Sequence, residues 1–84
     1  MTCFFVYILY SKAVDRYYIG QSDDPFRRLK DHNAGISSYT SQTEDWEIVH
    51  LEKFNDRSSA IKRELEIKRK KSRKYIEWLS GRST

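Results

Sequence analysis

Phe4-Phe5-Val6-Tyr7-Ile8-Leu9 and, one short polar stretch later, Tyr17-Tyr18-Ile19-Gly20 open the chain with two apolar segments, each bearing tyrosine. Both are rich in aromatic and β-branched types, the signature of strands. The first reads as a buried strand over residues 4–10 and the second as a shorter one over 17–21. The polar residues from Ser11 to Arg16 form the turn between them, so the pair reads as an antiparallel hairpin.

Asp24-Pro25 marks a helix start. Asp24 accepts from exposed backbone N–H groups, and Pro25 lacks the N–H that would be left without a partner. This helix runs to about Asn33, and Gly35 stops it. Phe26 and Leu29 are expected to anchor it to the sheet. Residues 36–45 mix Ser, Thr and Tyr without a period and read as a loop, of a length that is often functional. Trp46 to Phe54 reads as a third strand, with Trp46, Ile48, His50 and Glu52 on one face and Val49, Leu51 and Lys53 on the other. Asp56 caps a second helix from about Arg57 to Lys70, whose inward stripe is expected at Ile61 and Leu65. Ser72 caps a third helix, with Tyr75, Ile76 and Leu79 facing inward and Gly81 ending it. The order ββαβαα predicts an α+β fold: a small three-stranded antiparallel sheet flanked by helices.

Composition bounds the function. The 84 residues suffice for one domain, expected over residues 1–84 with a core of about 4–80. Cys3 stands alone, which excludes an internal disulfide and a multi-cysteine zinc site, and His32 and His50 do not restore one. No apolar run approaches the ~20 residues of a membrane span, and no signal segment is seen, so the cytoplasm is the expected compartment.

Charge is uneven. Residues 1–60 hold seven Lys and Arg against nine Asp and Glu, a balance of −2, whereas residues 61–84 hold nine against three, a balance of +6. The positive density peaks at Lys68-Arg69-Lys70-Lys71-Ser72-Arg73-Lys74. Such a run favours a polyanion, of which nucleic acid is the commonest in a cell. The same run also serves as a solvated surface.

Arg28 and His32 lie one helical turn apart on one face. Tyr7 and Tyr18 lie on paired strands and are expected to point toward that helix. Glu64 sits at the edge of the second helix's inward stripe. Phenol, imidazole, guanidinium and carboxylate are the parts of a metal-assisted phosphodiester hydrolase. A carboxylate holds Mg²⁺, a guanidinium grips phosphate oxygens, and a phenol or imidazole takes the proton of attacking water. Each residue also has a plain structural use. Tyr7 and Tyr18 serve as sheet residues, His32 complements a helix C-terminus, Arg28 is a surface arginine, and Glu64 pairs with Lys68. Their joint occurrence in one order is what points to chemistry.

That order resembles the GIY-YIG endonuclease superfamily, most of all its small stand-alone bacterial members. Tyr18-Ile19-Gly20 is the second motif intact. Phe5-Val6-Tyr7 represents the first and keeps only its tyrosine. Arg28 and His32 follow at the family's spacing, within Arg28-Leu29-Lys30-Asp31-His32-Asn33. Tyr39-Thr40, Trp46-Glu47-Ile48-Val49 and Arg57-Ser58-Ser59-Ala60-Ile61-Lys62-Arg63-Glu64 also match. The resemblance spans roughly residues 4–80. It implies a single-metal nuclease acting on DNA, in repair or recombination. Glu64 would hold one Mg²⁺ or Mn²⁺, Arg28 would stabilise the phosphate, and Tyr7, Tyr18 and His32 would manage the water proton. Lys68, Arg69, Lys70, Lys71, Arg73 and Lys74 would follow the nucleic-acid backbone. Phe5 replaces a glycine and Val6 an isoleucine, and neither change removes a reactive group. The chain has no room for the added DNA-binding domain common in the superfamily, so either affinity and specificity are expected to be low or a homodimer or a protein partner would supply them. A second class, a nucleic-acid-binding module without significant turnover, would keep the basic run and lose Glu64 or Arg28. A protein-interaction domain using Tyr75, Ile76, Trp78 and Leu79 predicts association insensitive to salt.

Overall fold

The computed structural model describes residues 2–81. The elements follow the order expected: β1 (Phe4–Ser11), β2 (Arg16–Ser22), α1 (Pro25–Asn33), β3 (Glu47–Phe54), α2 (Arg57–Lys70) and α3 (Arg73–Leu79). The strands form one antiparallel sheet with β1 in the centre, in the order β2-β1-β3.

Each face of β1 builds its own core, because successive side chains leave a strand on opposite sides. Val6 and Ile8 pack with Ile19 of β2 and with Ala60 and Ile67 of α2, and Tyr75, Ile76 and Leu79 of α3 pack against this cluster. Tyr7 and Leu9 point the other way and pack with Trp46, joined by Tyr18, Leu29 of α1 and Ile48. Burying each large aliphatic side chain contributes about 1.5–3 kcal/mol, so both layers matter to so short a chain.

Local signals set the helix ends. Asp24 accepts from the Arg27 N–H at 3.1 Å, Asp56 from the Ser59 N–H at 2.8 Å, and the Ser72 hydroxyl from the Tyr75 N–H at 3.1 Å. Gly35 and Gly81 follow α1 and α3 with φ of +80° and +71°, the left-handed turn that glycine adopts without strain.

Three expectations about faces are corrected. Ile61 and Leu65 are not the inward stripe of α2; they are 39% and 43% exposed. The inward stripe is Ala60 and Ile67, with Arg63 and Glu64 half-buried between them. Arg63 can lie there because Glu52 of β3 takes two of its N–H groups, at 2.8 and 3.0 Å. Phe26 does not anchor α1, being 62% exposed; Leu29 does so alone. The alternation of β3 breaks at a register shift opposite Ile8 and Leu9. The extra residue there puts Ile48 with Trp46 in the Tyr7 layer, while His50 and Glu52 pair with Ile8 and Val6 and share their face.

The loop over residues 36–45 is held at its last residue and in its middle. Asp45 accepts from the Ser11 hydroxyl at 2.5 Å, the Ala13 N–H at 2.9 Å and the Thr43 hydroxyl at 2.7 Å. These bonds, that from Ser11 foremost, lower its carboxyl pKa to about 2. Earlier in the loop, the Thr40 carbonyl accepts from the Trp46 indole N–H at 2.9 Å.

Candidate active site

Tyr7 leaves the centre of the sheet toward α1 and is 1% exposed. Its ring lies across Gly20, its partner in the β1–β2 register. A Cβ at position 20 would stand 2.6 Å from the Tyr7 hydroxyl oxygen and 2.7 Å from its ring. That close approach is the physical reason for a glycine here. Tyr18, two residues earlier on β2, stacks at a tilt on His32, with ring centroids 4.6 Å apart.

His32 projects from the last turn of α1 and is fully buried. Its Nε2 lies 3.1 Å from the Tyr7 hydroxyl and its Nδ1 lies 2.7 Å from the Thr40 hydroxyl. Burial lowers the imidazole pKa below 6.5, and the positive charge of Arg28 lowers it further, against a smaller opposing pull from Asp31. The ring is therefore neutral at pH 7. Tyr7 is pushed the other way, to about 12, by burial first and then by Tyr18.

Arg28 sits one turn before His32 and bonds Asp31 at 3.1 Å. Its guanidinium also favours the Tyr7 phenolate, an influence that lowers the phenol pKa without overcoming burial. Burial acts against the charge of Arg28, but Tyr7 and Asp31 outweigh it and its pKa is raised. Glu64 comes from the opposite layer, on α2. Its negative charge reaches the Tyr7 hydroxyl and adds a last, small upward push to the phenol. Its side chain is mostly buried, and Lys68 bonds it at 2.5 Å. Strands β1 and β2 and helix α1 thus bring Tyr7, Tyr18, Arg28 and His32 to one rim of the sheet, and Glu64 of α2 acts on it through its charge.

No group of three or more His, Cys, Asp and Glu side chains stands together among the described residues. The chemistry of the donor set still fits one hard divalent ion. Mg²⁺ is commonly held by one or two carboxylates, with water and substrate phosphate supplying the remaining oxygens. Glu64, bonded to Lys68, is the carboxylate that would hold it, while Asp31 is engaged by Arg28.

Every Lys and Arg of the basic run is exposed, and Arg73 is drawn aside by ion pairs. Lys68, Arg69 and Lys70 end α2, and Lys71 caps it with φ of +47°. Arg73 then turns back to the β1–β2 hairpin, reaching the Asp15 carboxylate at 2.6 Å, with Glu77 at 3.2 Å. Lys71 and Lys74 are exposed. A groove beside the rim is lined by Arg16, Tyr17, Tyr39, Lys68 and Lys71.

Reasoning from sequence gave Thr40 no role beyond a match of pattern. Nothing in a run of Ser and Thr distinguishes the one hydroxyl that is buried against an imidazole. Asn33 was missed for the same reason. Its amide brackets the Trp46 backbone, accepting from the N–H at 2.8 Å and donating to the carbonyl at 3.1 Å.

A ββαβαα domain with these groups along one rim has the build of a small nuclease domain. The family model of the GIY-YIG catalytic domain matches residues 3–76, and the chain belongs to this nuclease family. It is similar to the UPF0213 protein lin0209 of Listeria innocua serovar 6a, at 39% identity over 93% of this chain and 87% of the relative. The UPF0213 protein lmo0166 of Listeria monocytogenes is 44% identical over 77% of this chain and 72% of its own length. The UPF0213 protein NP_0776A of Natronomonas pharaonis is 40% identical over 76% and 75%. No solved structure matches the chain. No helix among the described residues is long and apolar enough to cross a membrane.

Proposed function

We propose that this protein is a Mg²⁺- or Mn²⁺-dependent endonuclease that hydrolyses DNA phosphodiester bonds and acts in repair or recombination. The observation that supports the reading best is the hydrogen bond between Tyr7 and His32, under the influence of the charges of Arg28 and Glu64. With a pKa near 12, Tyr7 is ionised in only ~10⁻⁵ of molecules at pH 7. A standing phenolate is therefore a poor base. Neutral His32 solves this, because its Nε2 takes the Tyr7 proton as Tyr7 takes one from the attacking water. Arg28, always charged, binds the phosphate oxygens as negative charge builds on them. Glu64 would hold the divalent ion, which when bound polarises the phosphate and stabilises the leaving oxygen. Lys68, Arg69, Lys70, Lys71, Arg73 and Lys74 would follow the nucleic-acid backbone; all six are exposed, and Arg73 is engaged by Asp15 and Glu77.

The test is nicking of labelled duplex, branched and single-stranded DNA with Mg²⁺, Mn²⁺ or EDTA. Parent, Tyr7→Phe and Glu64→Ala are compared. Cleavage that needs metal and is lost in both variants supports the reading. Salt-sensitive binding with no cleavage in any lane overturns it in favour of a binding module.

A further inference from the structure

Thr40 is the buried residue at this site that the scheme above leaves without a task. It is fully buried, in the loop over residues 36–45, and its hydroxyl has one proton to give. The Tyr7 hydroxyl faces His32 Nε2 as its one hydrogen-bond partner among the described residues, which suits a lone pair on Nε2. Given to the Ser37 carbonyl, 3.4 Å away, the Thr40 proton leaves the Thr40 oxygen to accept from His32 Nδ1, at 2.7 Å. Nδ1 must then carry the imidazole proton, which leaves the lone pair of the neutral ring on Nε2, facing the Tyr7 hydroxyl. In water a neutral histidine favours the other tautomer, so the arrangement needs a partner that enforces it.

The partner is itself enforced. The Trp46 indole holds the Thr40 carbonyl, and the Asn33 amide holds the Trp46 backbone on both sides. Asn33 follows His32 directly on α1. A closed circuit of hydrogen bonds thus runs from His32 through Thr40 and Trp46 to Asn33 and back along the helix.

We propose that Thr40 is a positioning residue that fixes His32 as its Nδ1–H tautomer, so that Nε2 accepts the proton of Tyr7. With the opposite tautomer Nε2–H would point at Tyr7, and the tyrosine proton would have nowhere to go. The catalytic consequence rests on the nuclease reading; the tautomer does not.

The experiment is ¹⁵N NMR of the His32 ring in the parent, Thr40→Val and Thr40→Ser, paired with kcat and KM for cleavage. The expected result is an Nδ1–H tautomer in the parent and in Thr40→Ser, with a shift toward Nε2–H in Thr40→Val. In Thr40→Val kcat should fall about ten- to a hundred-fold at unchanged KM, and Thr40→Ser should restore most of it. An Nε2–H tautomer in the parent overturns the proposal without any variant having to fold. So does a Thr40→Val protein that keeps Nδ1–H. If the parent cleaves nothing, the nuclease reading fails, and the ring spectrum still decides what Thr40 does.

Discussion

Gly20 is the residue with least freedom at the site. Its missing side chain is the space that the Tyr7 ring occupies, and Tyr7 is held by His32 and by the packed layer around it. Gly20→Ala should therefore cost about 1–3 kcal/mol of stability by overpacking, read as a lower denaturant midpoint at constant slope. It should also displace the phenol from His32. A second expectation concerns protons. His32 binds its proton more weakly in the folded chain than in the unfolded one, because of burial first and the charge of Arg28 second. The charged and titratable groups around it are Tyr7, Tyr18, Arg28 and Asp31. A lowered histidine pKa means that the unfolded chain takes up more protons. The stability owed to neutral His32 is thus complete above about pH 6.5 and is lost as pH falls below it. Melting temperatures at pH 7.5 and pH 5 should differ more in the parent than in His32→Gln. Equal differences would show that His32 is not desolvated as described.

At the scale of elements, α2 shows what a sequence reveals and what it hides. Its ends were legible, because Asp56 and the basic last turn are local signals. Its buried face was not. Ile61 and Leu65 are the conspicuous apolar pair, yet the helix turns Ala60, Arg63, Glu64 and Ile67 inward. Two charged residues occupy that face because each finds a partner, Glu52 for Arg63 and Lys68 for Glu64. Such partners are remote in sequence or look like ordinary surface pairs. Ile67→Ala should accordingly cost about 2–4 kcal/mol, whereas Leu65→Ala should stay within about 0.5–1 kcal/mol. Chemical denaturation of both variants checks the assignment, and equal losses would return Leu65 to the core. Order and spacing marked Tyr7, Tyr18, Arg28 and His32, which the fold does gather, whereas the hydroxyl behind His32 left no such mark. Likewise β3 was found by its composition, while its bulge, a matter of pairing with β1, left no mark in the strand itself.

For the molecule as a whole, the charge imbalance carries the expectation. With a net charge of +4 concentrated toward the end of the chain, binding to DNA should weaken steeply with salt. The structure divides that charge. Replacing Lys71 and Lys74 by Gln should reduce the slope of log affinity against log salt by about 0.9 for each phosphate contact removed. Arg73→Gln should change the slope less and lower the melting temperature more, since Arg73 ties α3 to the hairpin at Asp15. Equal slopes in the two cases would place Arg73 on the nucleic acid instead.

Tyr7 stands between Val6 and Ile8, both completely buried, on the one strand that is paired along both edges. Opening of such a strand requires the whole fold to open, so its amide protons should be among the last to exchange with solvent. Native-state hydrogen exchange should give Val6 to Leu9 the full free energy of unfolding. The phenol then stays in place through fraying or the melting of a corner. If Tyr7 acts as proposed, partial unfolding would leave the site intact, because its strand offers no partial way to let go.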